Sequence, residues 1–99
     1  VDRQAAQGWT SLLNQAAESL DRAWVAITGD PRSRADPGRQ HPLKFDLRQV
    51  QVDGVLLEQW QYEVTGGARL WYAIDDARRT LWITQAGTGH PKATDKRRR

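Results

Sequence analysis

From Ala5 to Ile27 the apolar residues Ala5, Trp9, Leu12, Leu13, Ala16, Leu20, Trp24 and Ile27 recur mostly at steps of three and four. That spacing is the stripe of an amphipathic helix. One helix or two satisfy it. Ser19, followed by Leu20-Asp21-Arg22, is a candidate N-cap, so the pattern is read as a helical hairpin broken between Ala16 and Ser19. Gly29-Asp30-Pro31 ends the helical run. Residues 30–42 hold three of the four prolines among Asp, Arg, Ser and Gly, without a hydrophobic period, and are read as a loop.

The period then changes from helical to alternating. Leu47 to Val52, Val55 to Val64, Arg69 to Ile74 and Thr80 to Gln85 read as strands. They are separated by turn signals at Asp53-Gly54, Gly66-Gly67 and Asp75-Asp76, and describe an antiparallel meander of about four strands. Alternation puts Trp60, Tyr62 and Val64 on one face and Leu70, Tyr72 and Ile74 on the same side of the next strand. Those faces are expected to meet the helices. Arg69, Trp71 and Ala73 then lie on the other face, with Glu63 beside Arg69 by parity. The fold class is therefore α+β, a helical hairpin packed on an antiparallel sheet.

Composition bounds this picture. The 99 residues make one domain, assigned to 1–91, followed by a basic tail at 92–99. Lys92, Lys96, Arg97, Arg98 and Arg99 against Asp95 give that tail +4 of the total +3, leaving residues 1–91 at −1. The tail reads equally as a phosphate-binding arm or a solvated end, and the body is not a basic DNA-coating surface. No apolar run approaches the roughly 18 residues that span a bilayer, and no secretory segment leads the chain. With no cysteine there is neither a disulfide framework nor a thiolate metal site. Two histidines alone make a poor metal set, so no metal or cofactor is expected. These features suit a cytoplasmic protein without a membrane. The chain opens at Val1 and holds no methionine, as a chain trimmed upstream or an alternative start codon would give.

Three blocks carry the chemistry: His41-Pro42-Leu43-Lys44, Arg69-Leu70-Trp71-Tyr72 and Gly89-His90-Pro91-Lys92. Their order, on a helical hairpin followed by a meander, resembles the RelE/ParE superfamily of type II toxins, closest to its YoeB-like branch, from about Gly8 to Lys92. The resemblance implies a RelE-like microbial RNase fold and a ribosome-dependent, metal-independent endoribonuclease that cuts messenger RNA and is held inactive by a cognate antitoxin. His41 stands where that branch has its general base, a glutamate. Arg69 matches the arginine that steadies the phosphate, and His90 the general acid. Lys44 matches a position whose charge binds the RNA backbone. Arg48, Lys92 and Trp71 complete the expected RNA contacts, although Trp71, like Trp82, reads first as a packing residue. Pro91 replaces the tyrosine that often follows the late histidine, and the strand that usually precedes the first helix is not seen here. The segment Gln49 to Glu58 is longer than the family's usual turn.

This residue set fits metal-free RNA cleavage. The neighbouring 2′-hydroxyl is the nucleophile, so the reaction needs a base for its proton, an acid for the leaving 5′-oxygen, and cations for the charged phosphorane. Histidine takes and gives protons near neutral pH, and arginine and lysine stabilise the developing charge. Two other functions share the expected fold: ParE-like inhibition of DNA gyrase by binding, and a catalytically degenerate toxin that only binds its antitoxin. Homodimerisation is left open.

Overall fold

The two N-terminal helices break at Ala16, because that residue serves both of them. The computed structural model describes residues 3–88 and gives α1 (Arg3–Gln15) and α2 (Ala17–Gly29). Ala16 has φ −148° and ψ 54°; its N–H bonds to Leu12 O and its carbonyl accepts from Leu20 N. No side chain caps α2. Ser19 therefore is not the N-cap that the sequence suggested. It sits inside the first turn of α2, where its hydroxyl accepts from the Arg22 guanidinium at 3.1 Å. The break also divides the apolar stripe. α1 buries Ala5 and Leu12 and α2 buries Leu20, Ala23 and Ile27, while Leu13 is left 50% exposed.

The remaining chain is a five-stranded antiparallel sheet: β1 (Gln40–Pro42), β2 (Gln49–Val52), β3 (Val55–Thr65), β4 (Ala68–Asp75) and β5 (Thr80–Thr88). Strands β1 and β2 both pair with β3, followed by β4 and β5 in order. β1 falls inside the segment expected to be loop, because three residues with two prolines nearby carry no readable alternation. Residues Phe45–Arg48, partly assigned to a strand from sequence, form a 3-10 turn instead. Asp53 and Gly54 have φ of 51° and 78° between the paired Val52 and Val55. That is the two-residue hairpin the Asp-Gly signal calls for.

The sheet faces separate as alternation requires. Trp60, Tyr62, Val64, Ala68, Leu70, Tyr72 and Ile74 join Leu12, Leu20, Ala23 and Ile27 in the main core. Burying such side chains contributes about 1.5–3 kcal/mol each. α1 lies against β5 so closely that a Cβ on Gly8 would fall 1.8 Å from Ala86 O. Only glycine lets the two backbones approach in this way. On the opposite face Val50, Val52, Leu57, Ala73 and Trp82 make a smaller cluster under β2.

A web of polar contacts ties residues 30–40 to the sheet. Tyr72 donates its hydroxyl to Pro31 O at 2.7 Å, and Gln40 Nε2 donates to Tyr72 Oη and Asp30 O. Burial pushes the Tyr72 phenol up to about 12. Arg32 grips both carboxylate oxygens of Asp76 and also bonds Glu58. Arg32 is raised above its ordinary value by these bonds, first to Asp76 and then to Glu58. Burial would raise the Glu58 carboxyl, but bonds from Trp60 and Arg32 outweigh it and hold it below the usual range. Asp76 is held low by Arg32.

Candidate functional site

The loop between β1 and β2 is short because both strands must return to the same neighbour, and one buried side chain fastens it. Gln59 on β3 accepts Leu43 N–H on its backbone carbonyl at 3.0 Å and donates its side-chain amide to Leu47 O at 2.7 Å. Both ends of residues 43–47 are thus held by a residue that is 3% exposed. The Gln59 amide oxygen accepts from the Thr84 hydroxyl, which leaves its orientation settled.

Held this way, the loop makes one wall of an open pocket of about 670 Å³ at the β1 edge. Arg34, Pro37, His41, Lys44, Phe45 and Arg48 are among its lining residues. No acidic residue lines it, and Arg34, Lys44 and Arg48 form no ion pair among the described residues. Arg34 lies over the Trp60 ring, 5.2 Å from its centroid, a cation–π contact that steadies the guanidinium without neutralising it. A pocket of about 710 Å³ at the far side is lined by Asp75, Asp76 and a single cation, Arg79, a poor setting for a phosphate. By charge, the β1 pocket is the better candidate of the two for an anion.

His41 is half-buried and paired opposite Gln61, which is paired opposite Trp71. The hydrogen bonds along this row have a fixed direction. Indole can only donate, so Trp71 Nε1 at 2.8 Å from Gln61 Oε1 orients the amide with its NH2 toward His41. That NH2 faces His41 Nε2 at 3.4 Å, a long contact that nonetheless requires an acceptor. The other ring nitrogen, Nδ1, is 3.0 Å from Pro42 O, which can only accept. The consistent assignment is a neutral imidazole with the proton on Nδ1 and a lone pair on Nε2. A lone pair is what a general base offers.

The other expected site residues are distributed as follows. Lys44 and Arg48 join His41 at the pocket. Arg69 lies on the same face, half-buried and paired with Glu63 and Gly87, but no ion pair joins it to Glu63. It sits two strands over and two residues along from His41, roughly 12 Å away at the backbone by strand spacing, and does not line the pocket. Trp71 is 7% exposed with its N–H engaged by Gln61, so its ring is a packing surface rather than an open stacking platform. His90 and Lys92 lie outside the described residues. Arg34 and Phe45 were missed. A loop arginine among five residues of turn composition carries no signal of its own, and Phe45 read as part of no element.

Comparison with known proteins finds no family, no curated protein and no solved structure that matches this chain. The class defined here is therefore that of the fold alone: an α+β protein with two helices on one face of an antiparallel sheet and a cationic pocket at its edge.

Proposed function

We propose that the protein binds RNA at the β1 pocket and cleaves it as a metal-independent endoribonuclease of the RelE/ParE toxin type. The observation that carries this reading is the joint placement of His41 with Arg34, Lys44 and Arg48 in one pocket that no acidic side chain lines among the described residues. Cations there attract the phosphate backbone, and His41 Nε2, once its long contact with the Gln61 amide is released, is the acceptor that takes the 2′-hydroxyl proton. The 2′-oxygen then attacks phosphorus, the bond to the 5′-oxygen breaks, and the products are a 2′,3′-cyclic phosphate and a 5′-hydroxyl. By the resemblance, His90 protonates the leaving oxygen and Arg69 steadies the charged phosphate. The same reading makes messenger RNA on the ribosome the substrate, an antitoxin the protein partner and the cytoplasm the compartment.

The test is messenger RNA cleavage in a cell-free translation reaction, with 3′ ends mapped. His41→Ala, Arg69→Ala and His90→Ala each are expected to lower the rate by about 100- to 10,000-fold. Absence of cleavage by the folded, full-length protein overturns the nuclease and moves the reading to gyrase inhibition, measured by DNA supercoiling, or to a degenerate toxin.

A further inference from the structure

Phe45 stands on the wall of this pocket in a left-handed backbone conformation. It is the single phenylalanine of the chain, it is 78% exposed, and its φ is +56°. A bulky residue in the left-handed region is an outlier that persists where its surroundings over-determine it. An exposed apolar ring alone is ordinary. An exposed ring held in a strained conformation at the start of the 3-10 turn, on the wall of a pocket with three cations that form no ion pair among the described residues, is not.

We infer that Phe45 is a nucleobase-stacking residue, and that the pocket takes one unpaired nucleotide of a single strand, with its phosphate among Arg34, Lys44 and Arg48 and its base on the Phe45 ring. The inference rests on the RNA-binding reading above and narrows it to single-stranded substrate. Duplex bases are stacked on one another and have no free face to offer, whereas aromatic side chains take splayed bases of single strands with little sequence preference. Gln59 holds both ends of the loop, so the left-handed turn presents the ring outward before any ligand arrives.

The experiment uses the 99-residue chain with ring-labelled phenylalanine, whose one spin system is Phe45. The probes are a five-nucleotide 2′-deoxy oligonucleotide, which 2′-hydroxyl attack cannot cut, and an abasic oligomer of equal length and charge. The oligonucleotide is expected to shift the Phe45 ring protons upfield and the abasic oligomer is not. Phe45→Ala is expected to weaken oligonucleotide binding by about 5- to 150-fold and abasic binding by less than about twofold. Phe45→Gly, which relieves the left-handed backbone, is expected to raise Tm while binding the oligonucleotide as poorly as Phe45→Ala. Equal affinity of the unaltered protein for both oligomers, equal weakening of both by Phe45→Ala, or a lower Tm in Phe45→Gly each overturns the inference. Base-dependent binding without any RNA cleavage overturns the nuclease and keeps this inference; cleavage with base-independent binding does the reverse.

Discussion

A single indole N–H reaches a ring nitrogen two strands away, and that is the residue-scale lesson of the open face. Trp71 fixes Gln61, and Gln61 fixes which nitrogen of His41 carries the proton. Trp71→Phe keeps the packing but removes the donor, freeing the Gln61 amide to turn. The expected result is a His41 that moves from the Nδ1–H tautomer to a mixture, read from imidazole nitrogen shifts; an unchanged tautomer would show that Pro42 O suffices. Tyr72 supports a second prediction. Its folded value is raised to about 12, above the ordinary phenol near 10, so its contribution is present below pH 10 and lost as pH rises toward 12. The loss is about 2–3 kcal/mol, and Tyr72→Phe should flatten Tm against pH over that window. The sequence placed Tyr72 in the core by parity alone. It gave no sign of the phenol's partners, Pro31 in the loop after α2 and Gln40 at the start of β1, which lie some 30 to 40 residues upstream.

Elements were legible where a period ran long enough to count. Both helices and the three long strands stand close to their expected bounds, since a regular pattern bounded by turn residues leaves few alternatives. Short elements were not. The three residues of β1 hold their place by pairing with β3, and a long-range pairing has no local signature. The helix break was expected but its means were not, because Ala16 ends one helix and starts the next through backbone bonds alone. Gly8 is the clearest case of a hidden constraint: within a helical pattern it reads as a weak position, yet it is where α1 meets the Ala86 carbonyl. Gly8→Ala should therefore destabilise by about 2–3 kcal/mol, against the stabilisation an exposed helical site would show; urea unfolding distinguishes the signs. The loop at Arg32 has its own pH dependence. Glu58 and Asp76 are both held low, so their contribution is present above the usual carboxylate range and lost as pH falls below it. Arg32→Met should remove part of that acid dependence in Tm measured from pH 5 to pH 2.

At the scale of the whole molecule the charge is local rather than general. Residues 1–91 carry a formal −1, so attraction for a polyanion comes from where Arg34, Lys44 and Arg48 stand and from the basic tail. If the three pocket cations each meet a phosphate, log affinity for a single strand should fall against log salt with a slope of about −2 from the pocket. Truncating the tail after Pro91 separates its share. The helices occupy one face of the sheet and leave the other uncovered by helix; alternation placed Arg69 on that other face, and only the folded edge reveals Arg34. The attachment of the β1–β2 loop has a final consequence. Since Gln59 secures Leu43 and Leu47 on one unmoving strand, residues between those anchors can be exchanged, lengthened or shortened while both strand registers stay put. Ligand preference is thereby a cassette, free to diverge under selection without renegotiating the stability of the framework that carries it.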